Sequence, residues 1–393
     1  FHLQIFLQKI DAKWKITKYR RLKFKREEKK NFAFIKANAL YSIPENPDGI
    51  KSFRPANPYI GGINVFDFNS DSYLDILFCG EKRIYLYQNM GGQHFKEITE
   101  SCGLPIKNVS PFTSALWADF DNDGDYDLFL AINSHYTKGH NLLYENINNH
   151  FFDRSSKVNF SHSGRSSQCC LADINNDGLI DIFVGSYGKG DPLPNHYFKA
   201  NNGGVSLLYL NQGQLKFKEV TREWGMDSTY WTLAACFFDL NGDSFIDLYV
   251  VNDFGPNELF INQHGKGFIE AGEKFGLRDY NNSMAALFFD PDRDGDLDIL
   301  VSNMSSNSGR RITGQISNKQ AQVLKRLREL ADGNNFYVNN HPKKFQKQEQ
   351  GISKGEWAYG AVTIDIGNKG RSSIYQVNGF VSNVFNDEKK PDL

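Results

Sequence analysis

Short apolar runs recur in pairs along the chain, each pair split by an acidic stretch. In the clearest case Ala115-Leu116-Trp117-Ala118 leads into Asp119-Phe120-Asp121-Asn122-Asp123-Gly124-Asp125-Tyr126-Asp127, and Leu128-Phe129-Leu130-Ala131 follows at once. Runs this short, bounded by turn-forming residues, predict buried strands, so the unit reads strand, loop, strand. A second signature follows each unit: an apolar run, an Asn-Gly type of turn and an aromatic residue, as in Asn211-Gln212-Gly213 before Phe217 and Asn262 to Gly265 before Phe268. That is hairpin chemistry. Two hairpins make about four strands per repeat, the content of one propeller blade.

The unit recurs with its first aspartates at 67, 119, 173, 239 and 290, and a degraded sixth copy starts at Asp365, giving intervals of 52, 54, 66, 51 and 75 residues. A period of roughly 50 residues marks a propeller or similar array. The two long intervals place insertions at 188–204, rich in Gly, Pro and Asn, and at 305–335. Within the second, Val323, Leu324, Leu327 and Leu330 fall at helical spacing and predict a helix over Ser317–Ala331. The fold class is therefore all-β, a β-propeller over 59–393 with one short helical insertion. Residues 41–58, with Pro44, Pro47, Pro55 and Pro58, read as a linker. Residues 1–40 alternate apolar with basic residues at period two, which predicts strands that close the propeller or end an upstream domain.

The acidic stretches carry the candidate chemistry. Carboxylate or amide side chains stand at positions 1, 3, 5 and 9 of each loop: Asp67, Asn69, Asp71 and Asp75; Asp119, Asp121, Asp123 and Asp127; Asp173, Asn175, Asp177 and Asp181; Asp239, Asn241, Asp243 and Asp247; Asp290, Asp292, Asp294 and Asp298. Alternate residues of a tight loop turn their oxygens inward, and Ca²⁺ takes six to eight oxygens. Position 7 is expected to add a backbone carbonyl, from Tyr73, Asp125, Leu179, Phe245 and Asp296. An EF-hand would place Glu at position 12, where the second loop has Leu130. The reading is about five Ca²⁺ sites, tightest in the second and fifth loops, which have four Asp and Gly at position 6. The first and fourth put Ser72 and Ser244 there. Mg²⁺ is disfavoured by its rigid octahedral demand. The sixth copy has Gly367, Lys369 and Ser373 at ligand positions and is expected to bind nothing.

Composition adds limits. The 393 residues are 40% hydrophobic, ample for a core, and no apolar run is long enough to span a membrane as a helix. The start at Phe1 reads as a mature or partial product. Net charge is −1, and the basic excess in 1–40 is assigned to a solvated strand face rather than to nucleic acid. The five Cys match no zinc spacing and read as buried thiols or a disulfide, with thiols favoured. His135, His140 and His150 cluster only loosely, and the chain has no nucleophile elbow, P-loop or dinucleotide-binding glycine pattern. Asp253 either faces a ligand or stabilises a turn, the second being favoured.

These loops resemble the FG-GAP/VCBS repeats of integrin α-type propellers. Over residues 57–393 the chain is more similar to the cartilage acidic protein group with its ASPIC/UnbV-related members. The resemblance is carried by Val251-Asn252-Asp253-Phe254-Gly255-Pro256-Asn257-Glu258-Leu259-Phe260, Ser302-Asn303-Met304, Gly333-Asn334-Asn335-Phe336, Trp357-Ala358-Tyr359-Gly360 and Val377-Asn378-Gly379-Phe380. It implies a calcium-binding, seven-bladed propeller, exported to an extracellular, cell-surface or periplasmic location. It implies a role in adhesion or assembly and establishes no enzymatic activity. Six repeats are visible, so a seventh blade would have to come from the N-terminal strands, from poorly patterned residues or from a missing segment. The expected function is a non-enzymatic binding module with a protein or glycan partner on a propeller face, or a subunit of a larger assembly. The alternative is a propeller enzyme or a cofactor- or carbohydrate-binding protein with its site at the axis.

Overall fold

The computed structural model describes residues 3–10, 13–21, 62–79, 83–105, 112–132, 140–158, 160, 165–188, 193–196, 199–305, 329–330, 332–340, 344–348, 358–365 and 373–378. The first two strands, β1 (Leu3–Ile10) and β2 (Lys13–Arg21), form an antiparallel hairpin that is a sheet of its own. Five four-stranded antiparallel sheets follow. They are β3 (Ile63–Phe66), β4 (Asp75–Cys79), β5 (Ile84–Asn89) and β6 (Phe95–Glu97); β7 (Phe112–Ala118), β8 (Asp127–Ile132), β9 (Leu142–Ile147) and β10 (His150–Asp153); and β11 (Ser166–Ala172), β12 (Asp181–Ser186), β13 (Leu207–Asn211) and β14 (Phe217–Glu219). Then come β15 (Trp231–Phe238), β16 (Asp247–Asp253), β17 (Glu258–Asn262) and β18 (Phe268–Glu270), and β19 (Ser283–Phe289), β20 (Asp298–Asn303), β21 (Asn335–Val338) and β22 (Gln346–Gln348). A two-stranded sheet, β23 (Ala358–Ile364) and β24 (Ser373–Asn378), stands last.

Within each four-stranded sheet the strands lie in chain order. The first strands β7, β11, β15, β19 and β23 pack one on the next. This is the radial, up-and-down arrangement of a β-propeller. Period-two alternation decides which neighbour each side chain meets. In β7, Ala115 and Trp117 pack into the core shared with the preceding sheet, beside Leu77 and Leu86, while Leu116 and Ala118 pack into the core shared with the following one, beside Ile182 and Tyr209. Second strands are buried on both faces, so they read as unbroken apolar runs: Leu128, Phe129, Leu130 and Ala131 are all fully buried. Each such Leu or Phe contributes roughly 1.5–3 kcal/mol. The alternating cores recur between the third and fourth sheets, around Phe183, Trp224 and Leu248, and between the fourth and fifth, around Tyr249, Leu277 and Ile299.

Asparagines close the turn between second and third strands. Asn141, Asn257 and Asn334 each accept, through Oδ1, an N–H from the last two residues of the second strand: Ile132 at 3.0 Å, Asn252 at 2.9 Å and Asn303 at 3.0 Å. A register shift kinks β7, β11, β15, β19 and β23 near the end away from the acidic loops.

The helix expected over Ser317–Ala331 lies outside the described residues except for Glu329 and Leu330. The linker 41–58 lies outside them entirely. The described residues contain no seventh sheet of the radial kind, and the described part of the 188–204 insertion has neither helix nor strand. All five cysteines are free: Cys79, Cys102 and Cys169 are buried, Cys170 and Cys236 partly so.

Candidate metal centres in the acidic loops

Each of the five acidic loops joins the first strand of its sheet to the second. In the second loop Asp119 accepts the N–H groups of Asp123 at 3.0 Å and Gly124 at 2.9 Å, one on each carboxylate oxygen. Asp67 does the same for Asp71 and Ser72 at 3.1 and 2.8 Å, Asp173 for Asp177 and Gly178 at 3.1 and 2.8 Å, and Asp239 for Asp243 and Ser244 at 3.2 and 2.9 Å. In the fifth loop Asp290 takes Arg293 at 2.6 Å and Gly295 at 3.2 Å. The position 5 carboxylate then accepts the N–H of position 7 in every loop, from Asp71–Tyr73 at 2.8 Å to Asp294–Asp296 at 3.1 Å. Backbone donors thus hold the acidic side chains against their own loop before any ligand arrives.

Such wrapping needs two left-handed residues. Position 6 is one, as its glycines foretell: Gly124, Gly178 and Gly295 have φ of 97°, 83° and 94°. Ser72 and Ser244 take φ of 71° and 68° in the same place, at a cost of about 1 kcal/mol each. Position 4 is the other, with φ of 56° at Ser70, 60° at Asn122, 58° at Asn176, 72° at Gly242 and 65° at Arg293. The sequence reading missed it, although Asn and Gly in three of the five loops are the residues that tolerate this region.

The position 9 aspartates, Asp75, Asp127, Asp181, Asp247 and Asp298, are buried. In the first four loops one oxygen accepts the N–H of position 2 and the other that of an Asn in the last two residues of the third strand. For Asp181 these are Ile174 at 3.0 Å and Asn211 at 2.8 Å. Burial pushes Asp75, Asp127 and Asp181 up to about 7 and Asp247 and Asp298 up to about 6, and neighbouring loop carboxylates add to the rise, while the accepted N–H groups oppose it wherever they are present. The fifth loop has Pro291 at position 2, which has no N–H to give. Asp298 Oδ1 still accepts from Asn339 at 2.8 Å, but its buried Oδ2 has no hydrogen-bond partner.

The loops differ in how far their oxygens converge. Asp119, Asp121 and Asp127 each place an oxygen within 4.8 Å of the others, and Asp290, Asp292 and Asp294 do likewise. Asp121 Oδ1 is buried without a partner. In the first, third and fourth loops the position 3 residue is Asn, and its amide donates to the position 5 carboxylate: Asn69 to Asp71 at 3.0 Å, Asn175 to Asp177 at 2.9 Å and Asn241 to Asp243 at 3.0 Å. Among the position 7 residues, the Asp125 side chain accepts from Asn148 N–H at 3.2 Å and Asp296 Oδ1 is buried without a partner. An all-oxygen set of this kind suits a hard cation.

Other sequence candidates are not drawn into a site. His140 and His150 are exposed, and His135 lies outside the described residues. Asp253 is the last residue of β16, paired with Trp231 and 4% exposed, rather than a turn residue, and Tyr187 donates its hydroxyl to its Oδ2 at 2.8 Å. Phe254 follows with φ 59°, and its carbonyl accepts Ala200 N–H at 2.8 Å, pinning the 188–204 insertion. Trp231, packed edge-on against Tyr187, donates to Asn202 Oδ1 at 3.1 Å.

Burial holds the Asp253 carboxyl up at about 7, against an ordinary 3.8. The folded chain therefore keeps a proton that the unfolded chain releases, and stability falls as pH rises from about 4 to about 7. Asp253→Asn removes this titration and retains an acceptor for Tyr187. Chemical denaturation at pH 5 and pH 8 is expected to show the variant gaining on the parent by roughly 1–3 kcal/mol over that interval. Equal differences at the two pH values would sink the assignment.

Comparison with known proteins gives three matches to an FG-GAP-like repeat, at residues 67–130, 119–184 and 239–301. The chain thus carries FG-GAP-like repeats, and the acidic loops begin them. It is 26% identical to mouse cartilage acidic protein 1 over 151 residues, and 27% identical to the human protein over 151 residues. These matches cover 36% of this chain and 23% and 22% of those proteins, so the chain spans under a quarter of these relatives. Among solved structures it is similar to an Agrocybe aegerita lectin described as recognising non-reducing terminal N-acetylglucosamine, with a TM-score of 0.45 and 16% identity over 80% of this chain and 73% of the lectin.

Proposed function

From a propeller that carries FG-GAP-like repeats, we propose that the acidic loops hold structural Ca²⁺ and that the chain is a non-enzymatic, exported binding or assembly module. The observation that carries the cation reading is the set of buried carboxylate oxygens without partners: Asp121 Oδ1, whose carboxylate converges with those of Asp119 and Asp127, and Asp298 Oδ2, in the loop where Asp290, Asp292 and Asp294 converge. Like charges this close repel, and burial raises the cost. A divalent cation relieves both. The side chains at positions 1, 3, 5 and 9 would hold it, with the carbonyl of position 7, and bound Ca²⁺ supplies charge neutralisation and loop rigidity rather than chemistry on a substrate.

The module reading rests on the site's composition and on the repeats. The converging groups are carboxylates already engaged by their own backbone, which fits a structural centre better than a general acid or base. The partner class is protein or glycan, presented to a propeller face, with membership of a larger assembly as the other form of the same role. Among the described residues no helix is long and apolar enough to cross a membrane. Export is proposed from the likeness to human cartilage acidic protein 1, 27% identical over 151 residues.

Calorimetric titration with elemental analysis tests the cation. About five Ca²⁺ per chain are expected, and Asp121→Asn and Asp298→Asn should each weaken one site by tenfold or more, about 1.4 kcal/mol. Failure of the purified chain to take up Ca²⁺ would end the proposal.

A further inference from the structure

The acidic loops of the second, third and fourth sheets are wired to one another by side-chain amides. Asn122, at position 4 of the second loop, donates Nδ2–H to the carbonyl of Gly178 in the third loop at 3.1 Å. Asn176, at position 4 of the third loop, donates in the same way to the carbonyl of Ser244 in the fourth at 3.1 Å. Each receiving carbonyl belongs to the peptide whose N–H side holds the position 5 carboxylate of that loop: Leu179 N–H on Asp177 at 2.9 Å and Phe245 N–H on Asp243 at 2.8 Å. One planar peptide therefore ties a position 4 amide in one loop to a candidate ligand in the next.

A second relay runs beneath the first. Asn211 donates its backbone N–H to Asp181 at 2.8 Å and its Nδ2–H to the carbonyl of Phe120 at 2.7 Å. Phe120 in turn gives its own N–H to Asp127 at 3.0 Å. Asn262 repeats the pattern one sheet on, with its N–H on Asp247 at 2.8 Å and its Nδ2–H on the carbonyl of Ile174 at 2.8 Å, while Ile174 N–H serves Asp181 at 3.0 Å. The position 9 aspartates of three consecutive loops are thus joined through Phe120, Asn211, Ile174 and Asn262.

The wiring stops at both ends for a chemical reason. Position 4 is Ser70 in the first loop, too short to span, and Gly242 in the fourth, which has no side chain. Asn211 and Asn262 also donate Nδ2–H to a carbonyl of their own loop, Ile180 at 3.2 Å and Ile246 at 2.9 Å, as Asn146 does to Tyr126 at 3.1 Å, so the bonds to Phe120 and Ile174 are additional ones.

We infer that the second, third and fourth loops take up cations as a cooperative group, coupled through Asn122, Asn176, Asn211 and Asn262, while the first and fifth loops fill independently. This rests on the cation reading above. Ordering one loop around a cation holds the shared peptide and the Asn amide in place, so the neighbour has less freedom left to lose when it binds. Coupling of this kind is reciprocal between neighbours.

Calcium titration by calorimetry distinguishes the alternatives. The parent is expected to show a Hill coefficient above 1 for a group of three sites. Asn122→Gly with Asn176→Gly removes the amides, keeps the left-handed backbone, and should bring that coefficient down. Asp177→Asn, which disables the third loop but retains an acceptor, should weaken uptake at its two neighbours by about five-fold or more in the parent and by less in the double-glycine background. Asp294→Asn in the fifth loop should remove one site and leave the coefficient of the others unchanged. Calcium uptake with a coefficient of 1 in the parent, or one unaltered by the double-glycine change, overturns the coupling and leaves the cation reading intact. No uptake of Ca²⁺ at all overturns both.

Discussion

Chelating Ca²⁺ is expected to lower the thermal midpoint of this protein by on the order of 10 °C. Each site that binds only the folded chain adds about 2.7 kcal/mol when free Ca²⁺ is a hundred times its dissociation constant, so several filled loops contribute a large share of a marginal total. The effect should be greatest above about pH 7. There the buried Asp75, Asp127 and Asp181, held up at about 7 by burial, are ionised in the cation-free fold and destabilise it. Below about pH 6 protons occupy those carboxylates, and the gap between loaded and chelated protein should narrow. Differential scanning calorimetry with excess Ca²⁺ and with chelator at pH 5.5 and 8 reads both. Superimposable scans at pH 8 would mean that the acidic loops are hairpin turns and nothing more.

Asp181→Leu should be severe even without Ca²⁺. Asp181 is fully buried and accepts Ile174 and Asn211 N–H groups, which leucine would strand inside the protein. A buried donor left unpaired costs about 1–3 kcal/mol, so the pair sets an expected loss of about 2–5 kcal/mol in chelator. Asp298→Asn makes the contrast. Pro291 leaves Asp298 Oδ2 without a donor, so an amide oxygen at Oδ1 still serves Asn339 and the amide nitrogen displaces no bond. In chelator this variant should stay within about 1 kcal/mol of the parent, while in Ca²⁺ it loses the stabilisation of its site. Urea denaturation of the two variants in chelator decides the point, and equal losses would show that the backbone bonds to position 9 do not matter.

Much of this was legible in the chain. The nine-residue acidic register placed all five loops, because carboxylates that accept their own loop's N–H groups need fixed residue types at fixed offsets. The doubly apolar second strands could be read as buried, since Leu128 to Ala131 have no polar alternate. Position 4 was legible in part, through Asn122, Asn176 and Gly242, and was passed over because Ser70 and Arg293 break the pattern. The Asn residues at 211, 257, 262 and 334 were visible as motif letters, but their partners were not. Asn211 reaches Phe120 across 91 residues, and Asn262 reaches Ile174 across 88. No local rule anticipates such a bond.

Local sequence determined the repeat, the strand content and the loop conformation, because φ preference, side-chain alternation and carboxylate spacing act over a few residues. Only the tertiary structure decided which carboxylate oxygens lie buried without a donor, which loops touch, and that Asp253 is pinned by Tyr187 at the end of its strand. Those outcomes depend on how neighbouring sheets pack, and packing brings together groups whose separation along the chain carries no signal of their distance in space.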